Sequence, residues 1–159
     1  MPETELDRTD RTILAALQQD GRMANVALAA RVNLSESACL RRVRALEQAG
    51  VIDRYVALLS QPAVGLPDSV FVEVSLTREQ QKDLDAFENA VRKLPEVMEC
   101  YLMSGEYDYL LRVVVANTAD YERIHRENIT RLPGVARVRS GFALRTVTKH
   151  TDLPIRQKS

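Results

Sequence analysis

Ser35–Gly50, SESACLRRVRALEQAG, is the stretch whose reading decides the fold. Ser35 is placed to cap a helix, since its hydroxyl can accept from the amides that the first turn leaves unpaired. Leu40, Val43 and Leu46 recur every three residues and predict the buried stripe. At about 100° per residue, Ser37, Arg41, Arg44 and Gln48 gather on the opposite face. Gly50 suits the turn out of the helix. A solvated surface face would carry the same arginines, so the preceding segment matters. Asn25 is placed to cap a short helix over NVALAARV, with small apolar Val26, Ala29, Ala30 and Val32, and Asn33-Leu34 supplies a tight turn into Ser35. A short helix, a tight turn and a longer helix with a polar face make a helix-turn-helix.

Working outward, Asp7 is placed to cap an earlier helix, with Asp10 three residues on and Ile13, Leu14 and Leu17 as its apolar stripe. It completes a three-helix core. After Gly50, VIDRYVALLS alternates enough for a strand or hairpin, with Val51-Ile52 opening a wing and Arg54 within reach of phosphate. QPAVGLPD then marks a boundary through its two prolines and glycine.

Beyond it the pattern changes. Val70, Val72, Val74 and Leu76 alternate with Phe71, Glu73 and Ser75 as in a strand with one face inward. Phe87, Val91 and Leu94 follow at helical spacing. VMECYLM and YLLRVVV read as strands joined by SGEYD, then Tyr121, Ile124 and Leu132 mark a second helix and VARVRSGFALRTV a last strand. The order is β-α-β-β-α-β. Leu94-Pro95-Glu96-Val97 is echoed by Leu132-Pro133-Gly134-Val135, and each strand that follows runs into Ser-Gly, at 104–105 and 140–141. Proline ends each helix. Two similar halves in this order predict a ferredoxin-like split βαβ sheet. Both helices would cover one face and leave Phe71, Tyr101 and Met103 on the other, an arrangement that predicts dimerisation through the open face.

The fold class expected is therefore α+β, an N-terminal winged helix-turn-helix with a C-terminal ferredoxin-like βαββαβ domain. The divisions expected are 1–60 for the DNA-binding domain, 61–68 for a linker, 69–150 for the second domain and 151–159 for a polar tail.

Composition bounds the function. The apolar share is 45% and the formal net charge is zero, so affinity for a polyanion must come from local placement. All eight basic residues before position 61 are arginine, the residue that makes bidentate contacts to guanine and phosphate. No signal peptide or membrane-spanning run is apparent, so the chain is expected in the cytoplasm. Cys39 and Cys100 lack metal-ligand spacing and read as buried thiols. His125 and His150 have no partner spacing, and no phosphate loop or catalytic triad appears, so neither catalytic nor metal residues nor a cofactor is expected.

LSESACLRRVRALEQAGVIDRY, followed by ECYLMSGEYDYLL and RLPGV, resembles the Lrp/AsnC (feast/famine) family of transcriptional regulators, over about Leu6 to Val147. One departure is Glu36, where the family often has proline after the capping serine. The resemblance implies a DNA-binding regulator modulated by an amino acid or related small molecule, acting as a homodimer that assembles to an octamer associated with the nucleoid. On a pseudo-palindromic site in double-stranded DNA, Ser37, Arg41 and Arg44 are candidates for base contacts, and Ser35, Arg42 and Arg54 for phosphate. The effector candidates are Met103, Ser104, Gly105, Glu106, Tyr107 and Asp108, with Ser140, Gly141 and Phe142 from a neighbouring strand or subunit. Asp108 would pair with an ammonium group. A nucleoid-type architectural protein without a true effector is the alternative reading.

Overall fold

The structure is a computed structural model that describes residues 5–155. It forms two compact units. One runs to Leu58 and takes in the chain again from Thr148, and the other is Leu59–Val147.

The first unit is built on α1 (Arg8–Gln19), α2 (Asn25–Val32) and α3 (Glu36–Gln48). Asp7 caps α1 through a reciprocal box: its carboxylate accepts from the Asp10 amide at 2.8 Å, and the Asp10 carboxylate accepts from the Asp7 amide at 3.2 Å. Asn25 does not cap α2. Ala24 holds that position without a side-chain bond, and Asn25 Nδ2 instead donates to the Glu36 carbonyl at 2.8 Å, tying α2 to the start of α3. The turn between them rests on Asn33, in the left-handed region at φ 55°, which asparagine tolerates better than most residues. Ser35 Oγ accepts from the Ala38 amide at 3.2 Å, the expected cap on α3.

Ile13, Leu14, Ala16, Leu28, Ala29, Cys39 and Leu46 form the core of this unit. Two expected stripes are rotated. Val26 is exposed and Leu28 buried on α2. On α3 Leu40 is 38% exposed and Cys39 is fully buried. A strict three-residue spacing drifts around a helix by roughly 60° per step, whereas Cys39, Val43 and Leu46, spaced by four and then three, stay on one side. Gly50 leaves α3 with φ 71°.

The stretch after Gly50 departs from the expected strand or hairpin. Val51 and Ile52 pack on the helical core, but residues 51–59 form no strand among the described residues, and Val56, Leu58 and Leu59 are exposed. Alternation predicts an extended chain, yet a strand also requires a neighbour to bond, and the described chain supplies none here. Tyr55 anchors the start by donating to Glu47 Oε1 at 2.9 Å. The expected polar tail also behaves differently over its described part. Gln18 donates to the Leu153 carbonyl at 3.1 Å and accepts from the Leu153 amide at 2.6 Å, and Ile155 packs on the helical core.

In the second unit the strands are β1 (Asp68–Leu76), β2 (Val97–Leu102), β3 (Tyr109–Val115) and β4 (Val135–Phe142), with helices α4 (Gln81–Val91) and α5 (Thr118–Glu127). The order across the sheet is β2-β3-β1-β4, with every pair antiparallel. This is the ferredoxin-like arrangement that the element order predicts. Val70, Val72 and Val74 of β1 and Tyr109, Leu111, Val113 and Val115 of β3 are buried beneath Phe87, Val91, Tyr121 and Ile124 of the helices. Phe71, Tyr101, Leu110 and Arg112 occupy the opposite parity, with Phe71 43% and Tyr101 53% exposed. Arg112 pairs with Glu99 at 3.2 Å and Arg139 with Glu73 at 3.7 Å on that face.

The repeat holds at the joints and not at the Ser-Gly pairs. Val97 and Val135 each open a strand after a Leu-Pro stop. Ser104-Gly105 lies in the β2–β3 connection, but Ser140-Gly141 lies inside β4, opposite Val72 and Phe71.

Candidate nucleic-acid interface and effector loop

The exposed side of α3 carries the residues expected to contact DNA. Ser37, Leu40, Arg41, Arg44, Ala45 and Gln48 line one shallow concavity. The core side of the helix is held by Cys39 and Leu46, so these residues are forced outward by periodicity. Neither Arg41 nor Arg44 has an acidic partner among the described residues, so both guanidinium groups keep their charge and donors unengaged. Ser35 Oγ is spent on the cap and also lies 3.3 Å from Ser37 Oγ.

Arg42 stands apart from its neighbours. Its Nη1 lies 2.7 Å from Asp7 Oδ2 and 2.8 Å from Asp10 Oδ1. One cation thus pins α3 to both carboxylates of the α1 capping box. Placed there, Arg42 fixes the rotation of α3 about its axis and is directed away from the Arg41–Arg44 face. The Asp10 amide first, and the Arg42 guanidinium second, hold the Asp7 carboxyl below the usual carboxylate range. Arg54 pairs with adjacent Asp53 at 3.3 Å, with both side chains well exposed, an ion pair of little strength.

The Arg42 geometry carries a prediction. Arg42→Ala is expected to cost about 1 kcal/mol, below the range for buried charged hydrogen bonds and at the upper end for exposed ion pairs, because Asp7 is half exposed. The sign with pH follows from the depressed carboxyl. Its contribution is complete above the unfolded aspartate value of roughly 3.9 and is lost as pH falls through the lower folded value. Thermal unfolding from pH 7 to pH 2 should therefore show a shallower acid decline in Arg42→Ala than in the wild type. Parallel declines would remove the pair from the stability of this unit.

The β2–β3 connection is closed by backbone bonds. The Met103 amide donates to the Asp108 carbonyl at 2.8 Å, and the Asp108 amide to the Val74 carbonyl at 3.0 Å. Asp108 Oδ2 accepts from the Leu76 amide at 2.6 Å. The carboxylate therefore fastens the loop to β1, a role that no local sequence pattern signals. Ser104, Gly105 and Glu106 are exposed, Tyr107 is half-buried, and a Cβ on Gly105 would meet open space.

Ser140, Gly141 and Phe142 do not join this loop within one chain. Asp108 bonds beside Val74, which faces Val138, while Phe142 faces Val70 at the other end of the strand. Along the strand the offset is roughly 13 Å for Phe142 and about 7 Å for Ser140, which faces Val72, at 3.3 Å per residue. The second stretch packs on α5 instead: Ser140 Oγ bonds the Tyr121 hydroxyl, and Phe142 meets the Tyr121 ring edge-on at 5.4 Å. From its helical spacing Tyr121 reads only as a core position, and nothing in the sequence ties it to Ser140.

Cys39 and Cys100 are unpaired, and burial raises both thiols, Cys100 to about 11. Among the described residues no group of histidine, cysteine and acidic side chains could hold a metal ion, and no helix is long and apolar enough to cross a membrane.

A helix-turn-helix with uncommitted arginines, in a chain that also folds a ferredoxin-like unit, defines a DNA-binding regulator with a separate ligand-binding domain. The chain belongs to the Lrp/AsnC family: residues 69–153 match the Lrp/AsnC ligand binding domain and residues 6–53 a winged helix-turn-helix DNA-binding domain. It is 42% identical over 157 residues to the leucine-responsive regulatory proteins of Klebsiella pneumoniae and Escherichia coli K12, covering 99% of this chain and 96% of each relative. Among solved structures, a transcriptional regulator from Neisseria meningitidis in complex with L-Met matches with a TM-score of 0.90 and 39% identity, over 94% of this chain and 97% of that one. An AsnC family regulator from Agrobacterium tumefaciens matches with a TM-score of 0.89 and 40% identity, again over 94% and 97%. These relatives are transcriptional regulators, and the chain is a ligand-modulated regulator of transcription, not an enzyme or a purely architectural protein.

Proposed function

We propose that this regulator acts in the cytoplasm, at the nucleoid, as a symmetric oligomer that places paired α3 helices in successive major grooves of a pseudo-palindromic site. An amino acid shifts its assembly. The observation that carries the reading is the exposed α3 face, where Arg41 and Arg44 lack acidic partners while Arg42 beside them is tied down. Ser37 and the two arginines supply the base contacts, and Ser35 and Arg54 flank them near phosphate. Arg42 serves as the pin.

The second unit supplies the dimer and the sensor. Phe71, Tyr101 and Leu110 on the uncovered sheet face form the apolar part of a two-fold contact, interleaved with the Arg112–Glu99 and Arg139–Glu73 pairs. Further association of dimers gives an octamer. The effector is a zwitterionic amino acid bound at residues 103–108: Ser104 and Gly105 present backbone amides to its carboxylate, and Glu106 faces its ammonium. Ser140–Phe142 of another subunit completes the site. The Neisseria meningitidis neighbour in complex with L-Met supports this class of ligand. An effector acts only through a difference in affinity between two assemblies.

The test is a titration of the full-length protein on the duplex upstream of its own gene, with and without a pool of amino acids. A scrambled duplex at the same salt is the control, and sedimentation is run in parallel. Specific binding, shifted by an amino acid together with the oligomer distribution, is the expected result. Equal affinity for both duplexes would overturn the α3 assignment, and specific binding indifferent to every amino acid would overturn the effector class.

A further inference from the structure

We propose that Leu40 is a base-reading residue that recognises the C5-methyl group of a thymine in each half-site. The inference rests on the reading of α3 as the recognition helix and extends it to the one apolar side chain on that face large enough to read a base.

Leu40 lies one helical turn from both Ser37 and Arg44 and lines the same concavity as Arg41 and Gln48. It is 38% exposed, whereas Cys39 beside it is fully buried and Leu46 nearly so. The core therefore does not account for it. As the fifth residue of α3 it belongs to the N-terminal half of the helix, the part that approaches base edges most closely in helix-turn-helix complexes.

The chemistry of the groove then identifies the contact. Base edges in the major groove present acceptors and donors at every pair and a single apolar group, the thymine methyl. Arg41, Arg44, Ser37 and Gln48 can satisfy the polar edges, and Leu40 can satisfy only the methyl. Against a cytosine or guanine edge it would strip water from a donor or acceptor and return no bond. Leu40 thus selects thymine by attraction and penalises the alternatives by desolvation.

The test uses full-length protein and a duplex that the wild-type protein selects from a random pool. Each thymine is replaced in turn by deoxyuridine, which keeps every hydrogen bond and deletes the methyl. At one symmetric position the wild type should lose about fourfold per half-site, roughly fifteenfold when both are replaced. Leu40→Ala should bind the thymine duplex about as weakly as the wild type binds the deoxyuridine duplex, and should be indifferent to the substitution. A wild type indifferent to every methyl would overturn the proposal without any variant, as would a Leu40→Ala protein that feels the same methyl as strongly. Arg41→Ala on the same duplex separates the two levels. Unchanged binding there means that the recognition-helix reading itself fails, whereas a loss there with no methyl effect removes Leu40 alone.

Discussion

Arg41→Ala and Arg44→Ala are each expected to weaken binding by roughly ten- to a hundredfold per half-site of the selected duplex while leaving thermal unfolding in place. The first half follows from the size of a bidentate arginine–guanine contact, about 1–3 kcal/mol, felt in both half-sites of a symmetric assembly. The second half follows from what the side chains do in the free protein. Both are exposed on α3 and neither has an acidic partner among the described residues, so truncation orphans no buried group. Surface changes of this kind stay within about 0.5 kcal/mol. Titrations at several salt concentrations sort the DNA-facing residues further. Removing a residue that neutralises a phosphate lowers the dependence of log affinity on log salt by about one, and removing a residue on a base edge leaves it in place while relaxing sequence preference. Arg41 and Arg44 should behave in the second way and Arg54 weakly in the first. Arg42→Ala should invert the pattern, with lower stability and an unchanged salt dependence. If both exposed variants bind as tightly as the wild type, α3 does not read DNA.

The contrast among Arg41, Arg42 and Arg44 shows how far the sequence can be read. Its periodicity places Arg41 and Arg44 together, because helical spacing is a local property. It cannot place Arg42, whose partners Asp7 and Asp10 lie 35 and 32 residues away and meet it only through packing of α1 on α3. The same limit explains Leu40, assigned inward by a three-residue spacing that fits hydrophobicity but drifts around the helix. The ferredoxin-like order is legible because alternation, helical spacing and Leu-Pro stops agree. The strand expected in VIDRYVALLS does not form among the described residues, since alternation specifies an extended chain and says nothing of a partner. The tail misleads by its polarity, while the backbone of Leu153 bonds the Gln18 side chain and Ile155 packs on the helical core. Ser140-Gly141 looks like a second copy of Ser104-Gly105, yet one is mid-strand and the other in a connection. A dipeptide carries too little information to fix its own backbone.

The effector loop yields the other large expectation. Asp108→Ala should abolish the response to the effector, and it should do so through the fold of the loop. Asp108 Oδ2 is the acceptor for the Leu76 amide at 2.6 Å, at the end of the central strand. Alanine leaves that amide without its partner, at a cost of about 1–3 kcal/mol, and releases the segment that presents Ser104 and Gly105. Asparagine distinguishes this from direct recognition of an ammonium group. Its side-chain oxygen can still accept from Leu76, so the loop stays closed, but the negative charge is gone. If Asp108 acts by fastening the loop, Asp108→Asn retains near wild-type stability and responds to the effector within a fewfold of the wild-type concentration. If Asp108 holds the ammonium, Asp108→Asn keeps its stability and loses the response, since removing the charge from a charged pair costs more than removing a neutral bond. Glu106→Gln supplies the converse. Glu106 is exposed, so the substitution should leave unfolding unchanged and raise the effector concentration needed by tenfold or more if Glu106 faces the ammonium. A full response from Glu106→Gln, with a lost response from a stable Asp108→Asn, would return the ammonium to Asp108 and give one carboxylate both tasks.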